Sequence, residues 1–189
     1  MFVQLKNTFT TPLYTTVNDL ESWAGIDGRG VHHKKIWSPE AEQLYNVIPR
    51  DHWADFELTV MTINSVLLPH RDNDLISTIN FYIQPGDYRT VFYQPKLGAE
   101  FTQPKVEVSG SEVPLEQQLG YVKAVYQFDD VEEVDSFTAD AGQAYLLDVR
   151  EIHTVIPTGN DTIRKALALR TKKYGYDEVL SMLTQTGNV

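Results

Sequence analysis

Leu58-Thr59-Val60-Met61-Thr62-Ile63-Asn64-Ser65-Val66-Leu67-Leu68-Pro69-His70-Arg71-Asp72 is a strand-like run that ends on a histidine and an aspartate two positions apart. In extended backbone, residues i and i+2 face the same way, about 6.5–7 Å apart. His70 and Asp72 therefore present an imidazole and a carboxylate to one side, where a single metal ion could touch both. A third protein ligand would have to come from elsewhere in the chain. A surface turn with both side chains solvated fits the same residues, so the pair takes its meaning from the rest of the sequence.

The chain has 189 residues, 42% of them hydrophobic, enough for one full-sized domain, and no linker divides it. One domain is expected over 1–189, with 1–55 as a flanking region carrying a short helix and 56–173 as the core. The amino terminus lacks a basic segment followed by an apolar core, and no run of 18 apolar residues occurs. A soluble cytoplasmic protein without membrane contact is expected. Without cysteine there is no thiolate ligand or thiol nucleophile, so any metal must be held by His, Asp or Glu. A net charge of −10 argues against general nucleic-acid binding, which needs Lys and Arg in excess. The basic runs 32–35 and 170–173 and the acidic run 129–135 read as solvated faces.

Residues 1–37 read as irregular, with one short strand near Phe2–Leu5. Ser38-Pro39-Glu40 starts a helix, with Ser as N-cap and Pro at the first helical position, and Ala41, Leu44, Tyr45 and Ile48 continue it until Pro49. From residue 56 the texture is β: Phe56–Leu68, Leu75–Gln84, Tyr88–Gln94, Tyr121–Phe128, Val131–Phe137, Gln143–Val149 and Thr162–Lys172 are rich in Val, Ile, Thr, Tyr and Phe. Turn chemistry at Pro85-Gly86-Asp87 and Pro157-Thr158-Gly159-Asn160-Asp161 separates them. Many short strands with Gly and Pro turns imply a mainly β protein, an antiparallel sandwich or barrel such as a jelly roll. Residues 95–120 form a long excursion, either a lid over a binding site or a disordered insertion. A last short helix is expected over 176–183.

The second half of a site lies in Ala141–Val155, a turn and a buried strand that lead to His153 at the start of another strand. Eleven residues on, Arg164 opens an alternating strand in which Arg164, Ala166, Ala168 and Arg170 share one face and Lys165, Leu167 and Leu169 the other. If the first face points inward, the two alanines leave room beside a guanidinium, and a buried guanidinium calls for a carboxylate.

His70-x-Asp72, His153 and Arg164 together resemble the motif of the Fe(II)- and 2-oxoglutarate-dependent dioxygenases, whose core is a double-stranded β-helix, a cupin-like jelly roll with a few flanking helices. The likeness spans about Phe56 to Lys173 and is strongest to the aspartyl/asparaginyl hydroxylase and proline hydroxylase branch. It implies His70, Asp72 and His153 as catalytic Fe(II) ligands and Arg164 as the partner of the distal carboxylate of 2-oxoglutarate, with Tyr82 as a further candidate there, unless Tyr82 is an aromatic of the barrel wall. It also implies O2 as co-substrate and hydroxylation of an unactivated C–H bond in a small molecule, an amino acid or a peptide side chain. Two His, one carboxylate and open positions suit that chemistry. Family members commonly carry Ser or Thr two residues after the Arg, where this chain has Ala166.

Several residues stay open at this stage. Asp74 would replace Asp72 in a bent turn, and Arg170 would replace Arg164. Asp148 and Glu151 are placed to support His153, Arg71 points away from the ligands, and Arg29, Arg50, Arg89 and Arg150 are candidates for an acidic substrate group. His32, His33 and His52 read as surface or loop residues. A non-catalytic cupin-like protein that binds a metal or a ligand is the alternative function, and a metal-dependent hydrolase or isomerase on the same barrel is a third.

Overall fold

The computed structural model describes residues 1–7, 31–35, 42–63, 66–72, 75–101, 105–108, 111–114, 122–160 and 163–189, apart from the side chains of 31–35, 42, 105–108, 111–114 and 122–124. In chain order the elements are β1 (Phe2–Gln4), β2 (Val31–Lys35), α1 (Glu42–Tyr45), a 3-10 turn (Arg50–Asp55), β3 (Phe56–Ile63), β4 (His70–Asp72), β5 (Ser77–Gln84) and β6 (Tyr88–Pro95). They continue with β7 (Lys105–Val108), β8 (Ser111–Pro114), β9 (Val122–Val125), a second 3-10 turn (Phe128–Asp130), β10 (Val131–Thr138), β11 (Ala144–Asp148), β12 (Ile152–Pro157), β13 (Arg164–Thr171) and α2 (Tyr176–Gln185).

Two antiparallel sheets face each other, ordered β1-β11-β5-β13-β3-β2 and β10-β6-β12-β4-β9, with β7 and β8 as a separate hairpin. The neighbours in each sheet are mostly far apart in sequence, as in a jelly roll, where strands cross between sheets. No helix among the described residues is long and apolar enough to cross a membrane.

The first sheet is buried on both faces, which is why Ser77–Tyr82 in β5 reads as a continuous buried run rather than an alternating one. Its outer face packs Leu58, Ile79, Leu146, Leu167 and Leu169 against Leu44, Ile48, Val179 and Leu183 of the helical segments. Each such Leu or Ile removed from water contributes roughly 1.5–3 kcal/mol. Its inner face gives Met61, Ile63, Tyr82, Leu147 and Ala166 to the layer between the sheets, where they meet Tyr88, Phe92 and Val155 of the second sheet. β13 thus divides as the sequence predicts, leucines outward under the helices and Arg164, Ala166 and Ala168 inward.

Four expectations change. The run 56–68 is not one strand: β3 stops at Ile63 in the first sheet and β4 begins at His70 in the second, because the chain crosses between layers there. The region 1–37 supplies a second strand, β2, besides the expected β1, and the two pair with β3 and β11 at the two edges of the larger sheet. The excursion 95–120 contains the β7–β8 hairpin. The basic run 170–173 is split: Arg170 is buried, whereas Lys172 and Lys173 are exposed. The helix read over 38–48 is described only as Glu42–Tyr45, after which a turn closed by Ile48 N donating to Tyr45 O at 3.0 Å leads to Pro49, and its cap at 38–40 lies outside the described residues.

The two turns read from the sequence lie together at the end of the barrel where Arg164 enters. Gly86 takes φ +60°, and a Cβ there would meet the backbone oxygen of Ile163 at 2.6 Å, so only glycine admits this approach. Thr158 N donates to Asp87 O at 2.6 Å beside it.

Candidate metal and dicarboxylate site

β4 is three residues long, and its position depends on its neighbours. His70 pairs in register with His153 of β12 on one side and with Val125 of β9 on the other. Asp72 N donates to Val149 O at 3.0 Å, and the Thr154 hydroxyl donates to Leu67 O. Residues 83 apart in sequence, 70 and 153, therefore become cross-strand partners, and their rings stand 4.6 Å apart centre to centre.

His70, Asp72 and His153 each offer one ligand atom within 4.8 Å of the others. Backbone carbonyls fix both rings: Nδ1 of His70 donates to Leu68 O at 2.8 Å, and Nδ1 of His153 donates to Glu151 O at 3.0 Å. A carbonyl only accepts, so each Nδ1 carries hydrogen and each Nε2 keeps its lone pair. Both Nε2 atoms face Asp72 Oδ1, at 3.7 Å from His70 and 4.0 Å from His153. These separations are too long for hydrogen bonds, yet shorter than two metal–ligand bonds of about 2.1 Å end to end. The donor set fits one divalent ion bound by two neutral imidazoles and a carboxylate.

Burial sets the titration of the metal-free site. It lowers His70, against the opposing bond to Leu68, and it brings His153 down to about 3 with help from neighbouring His70. Burial raises Asp72 to about 7, although the charge of Arg170 pulls the other way. His153 is then neutral near pH 6.5 and His70 is shifted toward its neutral form, while Asp72 must still release a proton to become a ligand. Ni2+ affinity is expected to be level above about pH 7 and to fall roughly tenfold per unit below it, the slope of a single proton. Calorimetric titration from pH 5.5 to 8.5 measures this, and an affinity that does not change down to pH 5.5 contradicts it.

The same cavity, about 590 Å³ with its open mouth included, is lined by the three residues above and by Tyr82, Thr90, Arg164, Ala168 and Arg170. Arg164 is 1% exposed. Its Nη1 donates to Thr90 Oγ1 at 2.9 Å, and its guanidinium carbon lies 4.4 Å from the centre of the Tyr82 ring. Nε and Nη2 have no hydrogen-bond partner, and among the described residues no carboxylate pairs with this arginine. An isolated buried cation costs several kcal/mol, and an anion entering through the cavity would supply the partner that Arg164 lacks among the described residues. Tyr82 has the wall position weighed from the sequence, packed against Phe137 and Tyr145, and its ring also covers the Arg164 guanidinium.

Thr90 is the residue that sequence reading missed. Its hydroxyl accepts from Arg164 from β6 in the opposite sheet, and its only signal is its place between inward-facing Tyr88 and Phe92. Glu151 supports His153 through its backbone carbonyl rather than its carboxylate, and the Asp148 carboxylate is taken by Arg150. Arg89 pairs with Glu133 and Arg50 lies over Trp53, so neither these two nor Arg150 lines the cavity. His52 Nδ1 bonds the Tyr174 hydroxyl at 2.9 Å, away from the site. Asp74, Arg29 and the side chains of His32 and His33 lie outside the described residues.

No family model matches this sequence, and no curated protein does. Among solved structures the chain is similar to HygX from Streptomyces hygroscopicus with nickel, 2-oxoglutarate and hygromycin B bound, at TM-score 0.49 and 13% identity over 93% of this chain and 84% of that one. It is also similar to SnoK, a non-heme alpha-ketoglutarate-dependent carbocyclase from nogalamycin biosynthesis, at TM-score 0.43 and 14% identity over 89% and 78%. The vicilin from Solanum melongena follows at TM-score 0.37 and 16% identity, covering 78% of this chain but 30% of the vicilin. At these scores, what the site does has to be read from its own side chains.

Proposed function

We propose that this protein is an Fe(II)- and 2-oxoglutarate-dependent dioxygenase that hydroxylates an unactivated C–H bond of a small molecule, an amino acid or a peptide side chain. The observation that carries the reading is the pairing, in one cavity, of a buried guanidinium lacking a carboxylate with a His-Asp-His cluster. A 2-oxo dicarboxylate has a chelating end for the cluster and a second carboxylate for the arginine. Zn2+ in a non-catalytic cupin-like protein would use the cluster but leaves Arg164 unexplained. Placement in the aspartyl/asparaginyl or proline hydroxylase branch rests on His70-Arg71-Asp72 and residues 145–164 alone. HygX and SnoK bind or depend on the same co-substrate by their descriptions, which is in keeping with this reading.

When bound, the iron supplies O2 activation coupled to oxidative decarboxylation of the 2-oxo acid to succinate and CO2. The protein's part is placement and shielding. The carbonyls of Leu68 and Glu151 hold both imidazoles with Nε2 aimed at one point, and Asp72 contributes its carboxylate after losing a proton. Arg164, oriented by Thr90 and covered by Tyr82, receives the distal carboxylate, while Ala166 and Ala168 leave the floor of the cavity low. Leu67, Leu75, Leu147, Val149 and Val155 exclude water around the reacting groups.

Anaerobic addition of Fe(II) and then 2-oxoglutarate is expected to give a weak visible charge-transfer band, and exposure to air is expected to release succinate. Iron-loaded protein that gives neither would remove this reading in favour of the cupin-like one; turnover without O2 would indicate a hydrolase or isomerase. Thr90→Val keeps the side-chain shape and removes the hydroxyl that orients Arg164. It is expected to weaken 2-oxoglutarate by about 1 kcal/mol, roughly fivefold, at unchanged Ni2+ affinity; equal weakening of both ligands in a calorimetric titration would contradict the assigned role.

A further inference from the structure

β13 brings two cations into the cavity. Arg164 and Arg170 both line it, with Ala166 and Ala168 between them on the same face. At the rise of an extended strand their Cα atoms stand about 20 Å apart, and the proposed function uses only the first.

Arg170 is 6% exposed and lines the same cavity as His70, Asp72 and His153. In register it has Glu57 directly across on β3 and Thr78 directly across on β5. Glu57 approaches to 3.7 Å with a side chain 36% exposed, a partly solvated contact longer than a charge-assisted hydrogen bond. Thr78 and Asn80 are buried, and both line the cavity, with the Thr78 hydroxyl donating to Asn80 Oδ1 at 3.0 Å. A guanidinium, a hydroxyl and an amide thus gather on a wall otherwise made of Leu75, Leu147 and Val149.

We propose that Arg170, with Thr78 and Asn80, forms a second carboxylate-binding position beside His70, Asp72 and His153. This rests on the reading of those three as metal ligands. The carboxylate comes either from the chelating end of the 2-oxo acid or from a separate acidic substrate, and the two sources are separable.

The test uses full-length protein loaded with Ni2+ and saturated with 2-oxoglutarate, probed by saturation-transfer NMR with benzoate and its neutral isostere benzamide. Wild type is expected to bind benzoate and not benzamide. Arg170→Gln is expected to weaken benzoate at least roughly tenfold, leaving 2-oxoglutarate within about twofold, which assigns the position to an acidic substrate. Loss of 2-oxoglutarate affinity at unchanged Ni2+ affinity assigns it instead to the chelating end. Should Arg170→Gln not fold, Asn80→Asp keeps the oxygen that accepts from Thr78 and places a permanent carboxylate beside Arg170, and it is expected to abolish benzoate binding. Benzoate and 2-oxoglutarate binding unchanged in a folded Arg170→Gln, or benzoate unchanged in Asn80→Asp, overturns the proposal. If neither Ni2+ nor 2-oxoglutarate binds wild type, the dioxygenase reading fails, and the benzoate series on metal-free protein still tests Arg170.

Discussion

Asp72→Asn is expected to stabilise the metal-free protein at pH 8 while it removes divalent-ion binding. The two effects have opposite signs and one cause. Burial raises the Asp72 carboxyl from 3.8 to about 7 in the fold. A group whose folded value is raised favours the fold below its unfolded value and disfavours it progressively as pH climbs through the folded one. At pH 8 the folded protein therefore carries a penalty on the order of 4 kcal/mol, from about three units at 1.36 kcal/mol each. Asparagine keeps the size and removes the charge, so the metal-free melting temperature should rise at pH 8 and change little at pH 4. The same substitution takes away the only carboxylate of the cluster, so Ni2+ should no longer raise the melting temperature. Thermal denaturation at both pH values, with and without Ni2+, reads all four quantities. A variant that is less stable than wild type at pH 8, or that still gains stability from Ni2+, would falsify the account of Asp72 as a buried ligand.

Arg164→Met should abolish measurable 2-oxoglutarate binding and leave Ni2+ binding intact. Among the described residues the guanidinium has one neutral hydrogen-bond partner, Thr90, and two buried nitrogens without any, so a carboxylate arriving there gains a desolvated, charge-assisted pair. Removing one member of such a pair costs about 2–5 kcal/mol or more, a loss of about thirtyfold to several thousandfold. Methionine fills much of the space and brings no charge, and replacing an unpaired buried cation with an apolar group is neutral or stabilising for the fold. Calorimetry of 2-oxoglutarate on the Ni2+-loaded variant, beside its melting curve, separates loss of the anion site from loss of the fold. Retained 2-oxoglutarate affinity would transfer the distal carboxylate to Arg170.

The strand register of β13 was legible because alternation is a local property: Arg164, Ala166 and Ala168 against Leu167 and Leu169 can only mean two faces of unlike chemistry. The break between β3 and β4 was not, because Ile63, Val66, Leu67 and Leu68 suit either a long strand or a crossing between layers, and local propensity does not distinguish them. β2 was hidden for a related reason: an edge strand takes its pairing from β3 and needs little apolar pattern of its own. Likewise the carbonyls of Leu68 and Glu151 that orient the two rings are main-chain atoms, and no side-chain motif encodes them.

The sequence alone determined the kinds of group available: two histidines, an aspartate two residues from one of them, an arginine opening a strand of alternating character, and no cysteine to compete for a metal. It also determined that the chain would form short antiparallel strands, since β-branched runs broken by Pro-Gly and Gly-Asn turns have no helical alternative. Only the tertiary structure decided that His70 and His153 become neighbours, that the Thr90 hydroxyl meets Arg164 from the opposite sheet, and that Arg170 faces the cavity instead of water. The reason is that spacing along one strand fixes direction over a few residues, whereas proximity across two sheets depends on register and crossings set by the packing of the whole barrel.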